Sequence, residues 1–286
     1  MPAPDDRCSA PSPFALAGTL AGVRAAARLQ ALAAIVPAVA LDVDLAARDM
    51  TDHAVRAPAA GAAGESAWWL TADALARTPL IPRSLSGRTD ANHPALLVLP
   101  IPVDLDLRTS LLSGTAKRFL DALAASGNTA KPVLGLRSGH LIGGRRHLAD
   151  LGVLRRVCEE WGLGVAIDAT KVAETGWEAE AAVARLGGTL RLLRIGTRSA
   201  NSHAAGGDRL GRRALLAASD APHDVRISLL PQPGMLWRFH QDRAAEAWCA
   251  SAAWIGDHHA ATRASRRDVD GRRTIWRPSQ IEKDSV

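Results

Sequence analysis

The amino-acid sequence lacks several features that would assign it to a common class of proteins. Its 286 residues include only three cysteines, Cys8, Cys158 and Cys249, which lie far apart and form no Cys-x-x-Cys pair. This spacing indicates neither a disulfide framework nor a zinc site, and we expect Cys158 and Cys249 to be small apolar core residues. No apolar run reaches the ~18 uncharged residues that a membrane span requires, so we expect no membrane contact.

Sequence motifs for nucleotide binding and for serine catalysis are also missing. No apolar run is followed by Gly-x-Gly-x-x-Gly or by the Walker pattern, which argues against a dinucleotide or P-loop site. Gly-x-Ser-x-Gly does not occur, so no serine nucleophile is recognisable. We therefore expect no cofactor. No apolar segment follows a basic N-terminal stretch, which predicts a cytoplasmic protein without a secretory signal.

The positive charge of the chain gives little support to nucleic-acid binding. The formal net charge is +6, and almost all of the cations are arginines. Residues 261–286 carry seven Lys and Arg against four Asp and Glu, so +3 of the charge belongs to this short segment. That segment contains a single aromatic residue, Trp276, whereas single-stranded nucleic acid is bound by several stacked aromatics. We expect no nucleic-acid partner.

Short runs of Val, Leu and Ile alternate with segments of helical spacing. The runs predict buried strands at 37–43, 95–101, 132–136, 163–167, 189–195 and 225–230. Their spacing is that of successive strand–helix–strand units, which wind into a parallel sheet. A further strand at 14–18 and one at 79–82 would bring the number to eight. The predicted fold class is therefore α/β, a (β/α)8 TIM-type barrel whose first half is less regular.

This pattern also sets the predicted domain boundaries. Residues 1–13 are rich in proline, and residues 261–286 are polar and rich in arginine without apolar periodicity. Both segments are predicted to be mobile tails. The barrel domain is expected to span residues 14–260. Within it, Gly162 follows an amphipathic segment whose apolar face contains Leu151, Leu154 and Cys158, so a helix is expected to end at this glycine.

Four segments in the second half of the chain resemble one known superfamily. They are VCEEWGLGVAIDATK (157–171), LRLLRIGTRS (190–199), GGDRLGRRALLAA (206–218) and DVRISLLP (224–231). They resemble the xylose-isomerase-like TIM barrels, a superfamily of sugar-phosphate isomerases and epimerases that also includes endonuclease IV. The resemblance implies a TIM barrel that acts on a phosphorylated sugar or a related small molecule.

The resemblance also implies a divalent metal, held by carboxylates and histidines from several strand ends. The matching positions of this chain depart from that pattern. Asp168 matches the Asp of the family's Asp-x-x-His, but Lys171 stands in place of the His. The other positions carry non-ligands: Arg137 for Glu, Arg194 for His, Thr197 for Asp, and Leu229 or Leu230 for the last Glu. Because cations occupy positions expected for ligands, we predict no bound metal.

The same cations suggest a different ligand. Arg137, Lys171, Arg194 and Arg198 all fall at or near the C-terminal ends of predicted strands, where TIM barrels bind their ligands. We expect them to bind the phosphate or carboxylate of an anionic small molecule.

The alternative is that these cations pair with acidic residues inside the barrel mouth. The candidate acids are Asp168, Asp42 and Asp44, and we expect only one of the last two to point into the barrel.

Asp168 and His140 are the candidate groups for proton transfer, because each follows or ends a predicted strand. The sequence leaves open whether the protein is an enzyme. If it is, we expect metal-independent proton transfer of the isomerase, epimerase or lyase type. The alternative is a non-catalytic barrel that serves as a subunit or scaffold for a protein partner, which it contacts through exposed Trp68 and Trp69 and through its tails.

Overall fold

Strands and helices alternate along the part of the chain that the computed structural model describes. This part comprises residues 12–19, 23–45, 66–70, 94–100, 115–125, 130–136, 141–142, 145–146, 149–169, 172, 179–196, 218, 225–231 and 241–257. The strands are β1 (Ala15–Thr19), β2 (Leu41–Leu45), β3 (Ser66–Leu70), β4 (Pro94–Pro100), β5 (Lys131–Leu136), β6 (Leu141–Ile142), β7 (Arg145–Arg146), β8 (Gly164–Asp168), β9 (Leu190–Gly196) and β10 (Arg226–Leu230). The helices are α1 (Val23–Ala33), α2 (Thr115–Ala125), α3 (Ala149–Trp161) and α4 (Ala179–Leu186), followed by helical residues 241–257, here called α5.

Eight of the strands form a closed barrel in the order β1-β10-β9-β8-β5-β4-β3-β2. Every neighbouring pair in this ring is parallel. β6 and β7 form a separate antiparallel pair of two residues each. The closed parallel ring with intervening helices confirms the predicted (β/α)8 barrel.

Alternation along each strand separates the side chains into two layers. On β1, Leu16 belongs to the apolar layer between barrel and helices, together with Leu29 of α1. A Cβ at Gly18 would likewise touch Leu29. Ala15 and Ala17 must therefore face the barrel interior, because successive strand residues point to opposite sides. The interior has its own small apolar cluster, formed by Ala67, Trp69, Val98, Val133, Ala166 and Leu192.

Helix α3 shows how local sequence sets the element boundaries. Leu151, Leu154 and Cys158 are buried on one face, as the helical spacing predicts. The helix ends at Gly162, which has a φ of 64°, and Leu163 N donates to Cys158 O at 2.8 Å. This is the Schellman arrangement, in which glycine adopts the left-handed conformation at low cost. The predicted helix end is confirmed.

Two expectations about the fold are wrong. The third barrel strand is Ser66–Leu70, not residues 79–82, because β3 pairs with both β2 and β4 and completes the ring. Cys249 is buried, but it is also disulfide-bonded. Sequence spacing could not reveal this bond, because spacing does not show which cysteines are brought together by folding.

Other expectations fall largely on residues that are not described. The predicted tails, 1–13 and 261–286, lie almost wholly outside the described residues and stay predictions. Among the helices that the structure describes, none combines the length and the apolarity that crossing a membrane requires.

Gly135 on β5 gives Trp69 the room that its indole ring needs inside the barrel. A Cβ at this position would lie 2.6 Å from Val98 Cγ1 and 3.1 Å from Trp69 Cζ3. Both distances are shorter than an ordinary van der Waals contact, so an added methyl group would displace one of these side chains.

We predict that Gly135→Ala lowers the free energy of unfolding by about 1–3 kcal/mol, the usual cost of overpacking a core. Urea denaturation followed by tryptophan fluorescence measures this change. The control is Gly152→Ala in α3, where an added Cβ meets no atom within 4 Å. Alanine there should leave stability unchanged or raise it by up to ~1 kcal/mol. Equal stability of Gly135→Ala and wild type would contradict the packing argument.

Candidate functional site

Charged side chains face the inside of the barrel in two groups. The lower pair consists of Asp42 on β2 and Arg226, the first residue of β10. The mouth cluster, near the C-terminal ends of the strands, consists of Asp44, Asp168 and Arg194, with the ring of Trp69 beside them. A barrel interior excludes water, so each charge in it requires a partner.

The lower pair is connected by two hydrogen bonds, and a third binds Asp42 to the backbone. Arg226 donates from Nη2 to Asp42 Oδ1 at 2.6 Å and from Nε to Asp42 Oδ2 at 3.3 Å. The backbone N of Ala67 donates to Asp42 Oδ1 at 2.8 Å. Asp42 is completely buried, and through it β2 is connected to β3 and to β10. The two-point contact and the extra backbone donor are those of a structural ion pair.

Arg194 is the centre of the mouth cluster. It lies on β9 with 0% of its surface exposed. Its Nη1 donates to Asp44 Oδ1 at 2.7 Å and lies 3.9 Å from Asp168 Oδ2. Its guanidinium carbon lies 4.3 Å from the centre of the Trp69 ring, a cation–π distance. One cation is therefore shared by carboxylates from β2 and β8 and covered on one face by an aromatic ring.

Arg194 is only partly matched within the described structure. Its Nε and Nη2 are buried and make no hydrogen bond to any residue that is described. Ser228 is the register partner of Arg194 on the neighbouring β10, and its buried Oγ also finds no hydrogen-bond partner there. Buried polar groups are nearly always hydrogen-bonded. These groups on adjacent strands therefore have hydrogen-bonding capacity that no described residue uses.

The structure brings two of the predicted site residues together. Asp168 and Arg194 are neighbours in register on β8 and β9, and both are buried. For Arg194, the structure shows the alternative pairing with an acidic residue, through Asp44. The remaining predicted site residues lie outside the described residues: Arg137, Lys171, Arg198 and His140.

Two site expectations are wrong. Asp42 and Asp44 both point into the barrel, because residues two positions apart lie on the same face of a strand. Trp68 and Trp69 are only 5% and 1% exposed, so they do not form a surface for a protein partner. Trp68 packs in the layer between barrel and helices, and Trp69 packs in the interior.

Sequence reasoning missed Arg226 and Ser228. Both belong to the predicted strand 225–230, which was interpreted only through its apolar residues. Polar residues here alternate with the buried Ile227 and Leu229. This period of two could have shown that one face of the strand carries polar groups into the barrel.

Cys158 is the free cysteine of the described residues, and its environment makes it a poor nucleophile. Burial, and to a smaller extent the negative charge of Glu159, raises the pKa of the Cys158 thiol to about 12. Its Sγ lies 3.9 Å from the carbonyl oxygen of Gly164. A thiol that stays protonated near neutral pH lacks the thiolate that nucleophilic catalysis needs.

The overall structure is similar to solved sugar epimerases. An L-ribulose 3-epimerase matches with a TM-score of 0.58 and 11% identity, over 90% of this chain and 97% of that one. A D-psicose 3-epimerase, solved in the presence of D-fructose, matches with a TM-score of 0.55 and 12% identity, over 85% of this chain and 99% of that one. A xylose isomerase domain protein from Planctomyces limnophilus matches with a TM-score of 0.57 and 11% identity, over 87% and 97%.

The chain has the fold of the xylose-isomerase-like TIM barrels. This agrees with the resemblance found in the sequence. No protein-family model matches the sequence, and no curated protein matches it. At such low identity the similarity establishes the fold, and the activity has to be argued from the site itself.

The described residues of this barrel do not fit a divalent metal. They contain no cluster of three or more His, Cys, Asp or Glu side chains that could hold one. The carboxylates of Asp44 and Asp168 at the mouth both lie within 4 Å of the guanidinium of Arg194. A metal between them would sit against a fixed positive charge.

The lower pair should be essential for stability. We predict that Asp42→Asn lowers the free energy of unfolding by about 3 kcal/mol or more, because it leaves the Arg226 charge without its carboxylate. Urea denaturation measures the change. The control is Asp121→Asn, which breaks the surface pair that Asp121 forms with Lys117 at 2.6 Å and should cost less than about 0.5 kcal/mol. A similar small loss in both variants would show that the lower pair is not a structural element.

The raised pKa of Cys158 predicts an unreactive thiol in the folded protein. At about pH 8 an ordinary thiol is partly ionised and reacts with Ellman's reagent, whereas Cys158 should react only after unfolding in guanidinium chloride. A Cys158→Ala variant should remove the signal seen after unfolding. Rapid labelling of the native protein would contradict this assignment.

The same pKa shift predicts a loss of stability at high pH. An unfolded thiol ionises near pH 9, but the folded one only near pH 12. Stability from the buried neutral thiol should therefore be present below pH 9 and lost as the pH rises toward 12. Urea denaturation of wild type and Cys158→Ala over this range measures the difference, which should be absent if the thiol ionises normally.

Proposed function

We propose that this barrel binds a phosphorylated or carboxylated small molecule at its C-terminal mouth and acts as a sugar isomerase- or epimerase-like protein whose metal site is disabled. The observation that carries the proposal is the edge of Arg194 formed by Nε and Nη2, to which no described residue is hydrogen-bonded.

The geometry of a guanidinium supports an oxygen ligand at this edge. Nη1 of Arg194 is already bound to Asp44. Nε and Nη2 present two parallel N–H groups, which match two oxygens of one carboxylate or phosphate. A buried donor without an acceptor costs about 1–3 kcal/mol. A ligand that supplied two acceptors would therefore recover this free energy.

The charges at the mouth show what else the proposal requires. Asp44 and Asp168 formally carry two negative charges against the single positive charge of Arg194, so the mouth cluster by itself would not attract an anion. Additional cations are needed. In our proposal they are Arg137, Lys171 and Arg198, which directly or closely follow β5, β8 and β9 in the sequence.

The fold comparison suggests the skeleton of the ligand. The similar structures include epimerases named for L-ribulose, D-psicose and D-allulose. A polyhydroxylated chain with a carbonyl group would suit the mouth, because hydroxyl groups can donate to carboxylates and accept from Arg194 and Ser228.

The proposed chemistry is proton transfer beside that carbonyl. The carboxylate of Asp168 would accept the proton of the neighbouring C–H group, and the electron pair of that bond would move toward the carbonyl oxygen. The hydroxyl group of Ser228 would donate to that oxygen and stabilise the negative charge that develops there. His140 would return a proton to carbon and complete the isomerisation or epimerisation.

Isothermal titration with D-fructose 6-phosphate and D-gluconate tests the anion site. We predict that wild type binds at least one of these probes, and that Arg194→Lys weakens binding at least about tenfold, or 1.4 kcal/mol. Lysine retains the charge but cannot present two parallel donors. Arg137→Ala should cause a loss of similar size.

The matched control is Arg226→Lys, the same chemical change in the lower pair. It should leave the Kd unchanged, and thermal unfolding should show that both variants are folded. The proposal fails if neither probe binds wild type, or if Arg226→Lys weakens binding as much as Arg194→Lys.

A further inference from the structure

We propose that Arg194 is a resident cation of the barrel, which holds Asp44 and Asp168 in place and thereby excludes a divalent metal from these carboxylates. This inference deepens the metal-independent part of the proposed function. It states which side chain makes the barrel independent of metal and predicts that its removal creates a metal site.

Two carboxylates converge on one nitrogen atom of Arg194. Asp44 and Asp168 lie on β2 and β8, which are not neighbours in the barrel. Their oxygens nevertheless lie 2.7 and 3.9 Å from the same Nη1 of Arg194. A cation near both carboxylates favours their charged forms. Here that cation is covalently part of the chain.

Burial and packing fix the position of the Arg194 guanidinium. Arg194 is fully buried, whereas the side chain of Asp168 is 3% exposed and that of Asp44 is 24% exposed. One face of its guanidinium is covered by Trp69. Trp69 in turn has its place because Gly135 carries no side chain. The position of the positive charge is thus set by packing as well as by pairing.

Arg226, the other interior arginine, contacts one carboxylate where Arg194 contacts two. Arg226 uses Nε and Nη2 on a single carboxylate, that of Asp42, which also accepts from the backbone of Ala67. Removal of Arg226 would leave one carboxylate with a backbone donor. Removal of Arg194 would take a shared cation from two carboxylates, and carboxylate oxygens are the ligand type that Mn²⁺ and Mg²⁺ prefer.

The test is the binding of Mn²⁺ to Arg194→Ala, measured by isothermal titration and by the loss of the free Mn²⁺ signal in electron paramagnetic resonance. Wild type should show no saturable binding up to millimolar Mn²⁺. Arg194→Ala should bind one Mn²⁺ at least about tenfold more tightly than wild type, and Mn²⁺ should raise its Tm.

Two variants serve as controls. Arg226→Ala removes a partly buried arginine from the same barrel and should gain no Mn²⁺ affinity. Adding Asp168→Asn to Arg194→Ala should abolish the gain, because one of the two carboxylates is lost. If Arg194→Ala does not fold alone, refolding with and without Mn²⁺ replaces the titration, and Arg194→His provides a second variant that adds an imidazole beside Asp168.

The inference is overturned if wild type binds one Mn²⁺ that depends on Asp168, or if Mn²⁺ affects Arg194→Ala no more than Arg226→Ala in both titration and refolding. These measurements contain no sugar and no phosphate. Failure of anion binding would therefore disprove the proposed ligand without affecting this result, and failure of the Mn²⁺ test would leave the anion site standing.

Discussion

The candidate site depends on the complete burial of one guanidinium group inside a closed ring of strands. A charge in such a place is costly unless nearby groups replace the water it has lost. Arg194 finds three such groups: the carboxylate of Asp44 at 2.7 Å, that of Asp168 at 3.9 Å, and the face of Trp69. Each comes from a different strand, so the barrel has to be closed before the charge is compensated. Folding and site formation are therefore the same event here.

The two interior arginines differ in whether their Nε and Nη2 donors have acceptors, and this difference distinguishes a structural arginine from a candidate ligand-binding one. Arg226 and Asp42 match each other at two points, and the backbone of Ala67 completes the arrangement. Arg194 keeps Nε and Nη2 unmatched by any described residue, and Ser228 beside it has an unmatched hydroxyl group. Evolution of a purely structural pair would gain stability by matching these groups. Because these groups lie near the strand ends and no described residue matches them, we propose that they bind a ligand.

Much of the fold could be predicted from the sequence, because buried parallel strands have an apolar pattern that stands out locally. The third strand was missed, since SAWWL (66–70) follows an Ala- and Gly-rich stretch and its two tryptophans were interpreted as exposed. The site was harder to predict. Arg194 and Asp44 are separated by 150 residues, and no local pattern shows that a long side chain crosses the barrel to meet an acid on another strand. The positions of Asp168 and Arg194 at strand ends indicated that they belong to the site. Arg226 was missed because its strand was interpreted only through the neighbouring apolar residues.

Arg194 stands where the superfamily that the sequence resembles has a histidine ligand. The geometry of the barrel accounts for a cation at this position. Strand order and register fix the backbone positions of Asp44 and Asp168, and Arg194 lies within 4 Å of both carboxylates. Two acids in such a place need positive charge, and either a bound ion or a side chain can supply it. A guanidinium has the reach to do so from β9, and its planar shape leaves one edge free after Nη1 has bound Asp44. A metal ion in the same position would offer exchangeable coordination sites. The guanidinium edge of Arg194 offers two fixed N–H donors instead. In our proposal, a barrel that makes this exchange keeps the fold and the acids but selects ligands by hydrogen-bond geometry rather than by coordination. Similarity of fold at 11% identity says little about chemistry, and the chemistry we propose depends on Arg194, which contacts both acids.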